Sequence, residues 1–325
     1  MMATYLVTGG TGLIGSNICR LLVEAGDHVR AMVRPGSDYQ PLAGFGVEPL
    51  EGDITSPDDI VRSAAGCDAI INSAAVLGGA EQQLEEQRVT NVDGASHVFD
   101  AGARHDIRVV TLSTTTFFEH DVSLTEASPV AADWSDDPYT VTKGTAYVEA
   151  MRRVNEEGQD IVIVVPGGTF GPGASVKRAM SPTSFNRAVR GAVNGKISAY
   201  VSYPVPWVYA EDVAACAIAA TKVGLAGHKY LAFGAEDAQS TAAFLNVACE
   251  VAGVSHRIAE VALDPSDPEA VDRYGATLVD LAQRRFPVPW FDNTHTRRTL
   301  GYAPRSLTDA MAETVEWLRA NGQIP

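Results

Sequence analysis

Near its N-terminal end the chain runs from a short apolar stretch, Thr4–Thr8, through Gly9-Gly10-Thr11-Gly12-Leu13-Ile14-Gly15 into a helical pattern over Ile14–Ala25. Few folds accommodate that arrangement. Gly9 permits the tight turn after a strand, Gly12 lets the backbone approach a pyrophosphate, and Gly15 lets helix and strand pack closely. The helix N-terminus then offers free N–H groups and a partial positive charge to phosphates. A glycine pattern alone is a weak signal, and a structural turn is the competing reading; the strand before it and the helix after it supply the confirming context. A nucleoside-triphosphate loop would need Gly-Lys followed by Ser or Thr, which is absent.

The rest of the first half keeps the rhythm. His28–Val33, Ala69–Asn72, Arg108–Ser113 and Ile161–Val165 read as buried strands, with helices near Leu84–His105 and Tyr139–Glu157. Alternating strands and helices predict right-handed crossovers and an α/β Rossmann fold, a doubly wound parallel sheet. Beyond Pro166 the pattern becomes irregular. A Gly-, Pro- and aromatic-rich stretch holds one helix near Ser184–Asn194, a strand–helix unit returns over Trp207–Thr221, Asp264–Pro289 reads as a loop with a helix, and Asp309–Asn321 as a terminal amphipathic helix. We therefore expect a nucleotide-binding domain over 1–165, joined by the unit at 207–221, and a smaller, irregular C-terminal substrate-binding lobe over 166–325. The 325 residues, 46% hydrophobic, suffice for this. A net charge of −15 argues against nucleic acid and anionic membranes as partners. Cys19, Cys67, Cys216 and Cys249 are scattered, which predicts buried thiols in a reducing compartment and neither a disulfide framework nor a metal site. With no membrane-length apolar run and no leader before the first strand, a cytoplasmic location is expected.

The second strand decides which dinucleotide. An acidic residue at its end would bind a ribose 2′-hydroxyl. Here Arg34 stands there, suited to a 2′-phosphate, so NADP(H) is expected, with NAD(H) possible and a solvated arginine as the alternative. Asp53, ending the third strand, is placed to touch the adenine or to cap the following turn. Tyr139 and Lys143, four apart at a helix start, share a face. A nearby ammonium should lower the phenol's pKa and let it exchange a proton with a carbonyl or alcohol. A hydroxyl to orient the carbonyl is expected on Ser113, Thr114, Thr115 or Thr116, at the carboxyl edge of the sheet.

These residues resemble the extended short-chain dehydrogenase/reductase family. The resemblance is carried by Thr8–Gly15, Tyr139-Thr140-Val141-Thr142-Lys143, Gly52-Asp53-Ile54-Thr55, Asn91-Val92-Asp93-Gly94, Trp207–Ala214 and Leu300-Gly301-Tyr302-Ala303-Pro304-Arg305. It implies a catalytic Thr114, Tyr139 and Lys143, with Ser113 and Thr115 as the other hydroxyl candidates, and a supporting Asn91. The cofactor set it implies is Gly9, Thr11, Gly12, Leu13, Ile14, Gly15, Arg34, Asp53, Ile54, Ala74, Ala75, Tyr139, Lys143, Pro166 and Thr169. The run Val33-Arg34-Pro35-Gly36-Ser37 looks like the dihydroflavonol-reductase-like branch, whose ketone and aldehyde reductases generally use NADPH. Family members often dimerise through the two helices flanking the fifth strand, here contributing Val89, Val92, Val98, Phe99, Val148 and Met151. The leading reading is a carbonyl reductase or alcohol dehydrogenase. The alternatives are a nucleotide-sugar epimerase or dehydratase and a non-catalytic NADP(H)-binding regulator. Leu77, Thr115, Phe117, Phe118, Phe170, Met180, Tyr203 and Trp207 are expected to line a pocket for an aryl or alicyclic carbonyl compound. Lys177, Arg178, Arg187 and Arg190 are the cations a pyrophosphate would need.

Overall fold

The computed structural model describes residues 2–78, 84–119, 121–134, 137–264, 267–274, 279 and 287–325. Short, largely apolar runs covered on both faces form most of the strands, and a polar run, Glu48–Glu51, forms one edge of the sheet. This gives β1 (Thr4–Thr8), β2 (His28–Val33), β3 (Glu48–Glu51), β4 (Ala69–Asn72), β5 (Arg108–Leu112) and β6 (Ile161–Pro166). They join β11 (Lys229–Ala232) in a seven-stranded sheet of order β11-β6-β5-β4-β1-β2-β3, all neighbours parallel. Between β1 and β4 the chain reverses its direction of travel across the sheet, and the crevice at the carboxyl ends there is where such sheets bind ligands.

Helix α1 (Leu13–Glu24) follows β1, α2 (Pro57–Ala64) follows β3, α3 (Gly94–His105) precedes β5 and α4 (Pro138–Glu157) precedes β6. The long helix expected over Leu84–His105 is broken: a turn at Leu84–Gln87 and a π-helical turn at Arg88–Asp93 come before α3. Such wide turns recur at functional sites, and this one carries Asn91.

The second half interleaves with the first. Helix α5 (Ala210–Val223) packs with α1 on the sheet, burying Val213, Ala214, Cys216, Ala217 and Ala220. The strand that rejoins the main sheet is β11, not the run at Trp207. That run is β10 (Trp207–Tyr209), which pairs with β7 (Gly168–Phe170) in a separate two-stranded sheet. β8 (Ala199–Val201) pairs β13 (Ala259–Val261), and β9 (Pro204–Val205) pairs β12 (Gln239–Ser240). A second core surrounds Phe170, Trp207, Phe244, Leu245 and Met311, drawn from these strands, from the helices Phe185–Val193 and Thr241–Ala252, and from the terminal helix Leu307–Ala320. A short helix, Thr294–Leu300, belongs to the sheet side instead: Leu300 and Tyr302 join the main core, and the Tyr302 hydroxyl donates to the Phe233 carbonyl at 2.8 Å. Of the stretch expected to hold a helix after Asp264, Ala270–Tyr274 is helical, and much of the remainder lies outside the described residues. All four cysteines are buried and free. No helix among the described residues is long and apolar enough to cross a membrane.

Candidate active site

The glycine loop adopts the geometry its sequence demands. Gly9 has φ +69°, and a side chain there would meet the backbone of Ser73 and Ala74 at 2.7 Å. A Cβ on Gly15 would lie 2.2 Å from the Gly9 carbonyl oxygen, so only glycine permits this approach. Gly12 begins α1 without any side-chain cap, and its N–H donates to the Gly9 carbonyl at 2.9 Å. The N–H groups of Leu13, Ile14 and Gly15 therefore remain available at the positive end of the helix. These residues fit a dinucleotide pyrophosphate. Thr11, Gly12, Leu13 and Ile14 keep partial exposure, as do Ala74, Pro166 and Thr169, while Ala75 is open to solvent. The loop after β7 is strapped onto the same helix end: Asn17 Nδ2 donates to the Pro172 carbonyl at 2.9 Å, and Ala174 N–H to Ser16 Oγ at 3.2 Å.

Arg34 closes β2, is exposed, and makes no side-chain hydrogen bond or ion pair among the described residues. Other arginines, such as Arg20, Arg62, Arg88, Arg108, Arg152, Arg153 and Arg305, pair with carboxylates. Asp53 is committed in part to its own turn, one carboxylate oxygen accepting from Thr55 N–H and Oγ1, both at 2.9 Å. Ile54 beside it is buried, its carbonyl 3.1 Å from His97 Nδ1.

Tyr139 and Lys143 lie in the first turns of α4, which Asp137 caps by accepting from Thr140 N–H at 3.0 Å. Lys143 is buried, and its ammonium donates to the Leu112 carbonyl at the end of β5, at 2.6 Å. Burial lowers its pKa to about 8. The phenol is not lowered as the motif suggested. Burial drives Tyr139 up to about 12, opposed by the neighbouring Thr114 hydroxyl and reinforced by the charge of Asp137. Desolvation dominates the phenol, and Lys143 is not among the groups that lower it; the ammonium donates one of its protons to the Leu112 carbonyl. The Tyr139 contact selects Thr114 from the hydroxyl cluster. Ser113 Oγ and Thr116 Oγ1 are buried without partners, and Thr115 is half-buried.

Asn91 acts through the backbone. Its amide oxygen accepts from Val76 N–H at 2.8 Å, and its Nδ2 donates to the Val76 carbonyl and to Thr142 Oγ1, both at 3.1 Å. It thereby ties the loop after β4 to the helix turn that carries Lys143. Sequence reasoning missed the polar ladder beneath. Thr8 Oγ1 donates to Asn72 Oδ1 at 2.7 Å, and Asn72 Nδ2 to Thr111 Oγ1 at 3.3 Å. Asn72, Asn91, Thr111, Ser113 and Lys143 line a small cavity of about 10 Å³. An asparagine ending an otherwise apolar strand was the signal available.

The aromatic set expected in the substrate pocket divides. Phe117 and Phe118 are fully buried in a core with Tyr147 and Trp134, their rings 4.5 Å apart. Phe170 and Trp207 belong to the second core, where Trp207 stacks on Phe244 at 3.8 Å. These four are structural because each sits on a strand or turn whose side chains face an adjoining layer. Met180 and Tyr203 are half-buried, and Leu77 is 51% exposed. Among the cations, Arg190 bonds Gln323 at 3.1 Å, while Lys177, Arg178 and Arg187 are exposed and unpaired among the described residues. Of the helical apolar residues, Val98 and Phe99 are core, Met151 packs against core, and Val89, Val92 and Val148 keep exposure.

Comparison with known proteins agrees with this geometry. Sterol demethylase protein B of Methylococcus capsulatus is 28% identical over 99% of this chain and all of its own length. Tetraketide alpha-pyrone reductase 2 of Arabidopsis thaliana is 29% identical over 67% of this chain and 74% of its own. The solved structure of a nucleoside-diphosphate-sugar epimerase from Pseudomonas aeruginosa superposes with a TM-score of 0.80 at 20% identity, covering both chains in full. The model of the NAD-dependent epimerase/dehydratase family matches residues 5–232, from β1 through β11. The chain belongs to that family, the nicotinamide-dependent extended short-chain dehydrogenases/reductases.

Proposed function

We propose that the protein is an NADP(H)-dependent carbonyl reductase acting on a bulky, apolar ketone or aldehyde, a small molecule of aryl or alicyclic type. The observation that carries this reading is the Thr114 hydroxyl acting on the Tyr139 phenol next to Lys143, which is buried and fixed to the end of β5. A phenol whose pKa is raised to about 12 stays protonated at neutral pH, the form that donates to a carbonyl oxygen. Bound at the glycine loop, NADPH supplies the hydride for the carbonyl carbon. As charge develops on the carbonyl oxygen, Tyr139 gives up its proton and Thr114 stabilises the oxygen that remains. Asn91 holds the helix turn of Lys143 against the loop after β4, and the ammonium near pKa 8 favours the phenolate formed. Unpaired Arg34 supports NADPH over NADH. The apolar preference rests on Leu77, Met180 and Tyr203, with Thr115 at the hydroxyl end, and on the likeness to a tetraketide alpha-pyrone reductase.

One observation favours a second reading. Lys177, Arg178 and Arg187 are free cations in an acidic chain, as a nucleotide-sugar epimerase or dehydratase would need for a pyrophosphate. A single assay separates the two: NADPH absorbance with acetophenone and alicyclic ketones, with uridine diphosphate as competitor. The expected result is ketone-dependent oxidation, reduced about 10²-fold in Tyr139→Phe while NADPH still binds. Tight uridine diphosphate binding without ketone turnover would replace the reductase reading by the epimerase one. Near-normal turnover of Tyr139→Phe would remove the catalytic assignment.

A further inference from the structure

Thr114 and Tyr139 stand near the two ends of one excursion, the residues between β5 and α4. Its outgoing arm turns at Thr115–Phe118, where Phe118 N–H donates to the Thr115 carbonyl at 3.2 Å. Its returning arm runs back through Ser128–Ala131, with Phe118 and Val130 forming an antiparallel bridge and Ala131 N–H donating to the Phe117 carbonyl at 2.9 Å. Lys229, on the edge strand β11, reaches both arms. Its ammonium donates to the Ser128 carbonyl at 2.7 Å and lies 4.9 Å from the centre of the Phe118 ring. It is buried, and it makes no ion pair within bonding distance among the described residues; the nearest acid acting on it, Glu126, is engaged with Thr296 N–H and Oγ1 at 2.9 and 2.5 Å. A buried ammonium is costly, and nothing in the reaction uses this one directly.

We infer that Lys229 is a positioning residue for catalysis: by gripping both arms of the excursion it fixes the Thr114 hydroxyl against the Tyr139 phenol. The inference rests on the roles proposed above for those two residues. Removing the grip frees the Ser128 carbonyl and the Phe118 face, and Thr114 then samples positions away from Tyr139. The glycine loop is four strands away across the sheet, so the cofactor should be indifferent.

The test is a double-mutant cycle on the full-length protein with ketone turnover and NADPH affinity both measured. Lys229→Met is expected to lower kcat by at least about tenfold, the scale of a misplaced catalytic group, with NADPH affinity unchanged. Lys229→Arg, which keeps a donor and a cation over the ring, should recover most of the loss. In a Thr114→Ala background, Lys229→Met should cost nothing further, because it acts through a hydroxyl already gone. Independent, multiplying losses in the double variant would overturn the inference, as would a lowered melting temperature with unchanged kcat. Full activity of Thr114→Ala alone would instead overturn the catalytic role of Thr114 and remove the basis of the inference. If Lys229→Met does not fold, Lys229→Gln carries the same cycle with one donor kept.

Discussion

Lys143→Met should abolish turnover and, at neutral pH, leave a more stable protein. Burial lowers the lysine from its ordinary 10.5 to about 8 in the folded chain. The unfolded chain therefore binds this proton more tightly than the folded one. At about 1.4 kcal/mol per tenfold, holding the ammonium inside costs about 3 kcal/mol at pH 7. As pH rises from 8 towards 10.5 the folded chain has released the proton while the unfolded chain still holds it, so this contribution makes stability rise with pH across that window. Methionine fills a similar volume without a charge, and it leaves the Leu112 carbonyl without its donor at a cost of about 1 kcal/mol or more. The variant should then be more stable by roughly 1–2 kcal/mol at pH 7. That gap should shrink by about 2 kcal/mol between pH 7 and pH 9.5. Tyr139 titrates the other way: its contribution is present below pH 10 and lost towards 12. It is common to both proteins and cancels in the difference. Urea unfolding of the cofactor-free pair at the two pH values measures the gap. A gap that does not change with pH would refute the argument, because only the ionisation of Lys143 makes it move.

Two further outcomes follow from residues whose surroundings are now defined. Arg34→Asp should weaken NADPH binding by tenfold or more, the scale of a lost charge-assisted pair, while NADH binding is little changed; fluorescence titration checks this, and equal affinity of the unmodified protein for both cofactors would sink the NADP(H) assignment. We also propose a homodimer through Val89, Val92 and Val148, which remain at the surface beside α3 and α4; light scattering at micromolar concentration should give twice 34.4 kDa, and a mass near 34.4 kDa would refute it.

The strands and the glycine loop were legible because each is set locally. Thr4–Thr8 and His28–Val33 each centre on apolar residues that are buried, and Gly9 and Gly15 occupy positions no other residue tolerates. What the sequence could not show was partnership at a distance. Lys229–Ala232 opens on a lysine and is less apolar than Trp207–Tyr209, yet it is the one that pairs with β6 and completes the main sheet. The helix before β5 looked continuous from its apolar spacing although Val89-Thr90-Asn91-Val92-Asp93-Gly94 are poor helix formers; the π-helical turn appears there, where Asn91 meets both Val76 and Thr142. Aromatic residues misled for a related reason. Composition places Phe117, Phe118, Phe170 and Trp207 near the sheet's carboxyl edge, but whether a ring faces a ligand or the next layer depends on tertiary contacts.

The proposed catalytic pair carries the same lesson into chemistry. A spacing of four puts Tyr139 and Lys143 on one helical face, yet it does not say which atoms they meet. In the fold the lysine meets a strand-end carbonyl and the tyrosine meets Thr114, and shared burial then moves the two pKa values in opposite directions, the phenol up and the ammonium down. Both shifts favour the uncharged form, so the site at neutral pH holds a protonated phenol beside a cation that gives up its proton readily. That combination suits delivery of a proton to an oxygen gaining charge, after which the phenolate left behind draws the ammonium towards it. How readily the phenol parts with its proton is therefore set less by the motif than by how dry the surrounding layers keep it. Any substitution that admits water around Tyr139, without touching it, should lower its pKa towards 10 and make it the stronger proton donor while it stays protonated at neutral pH.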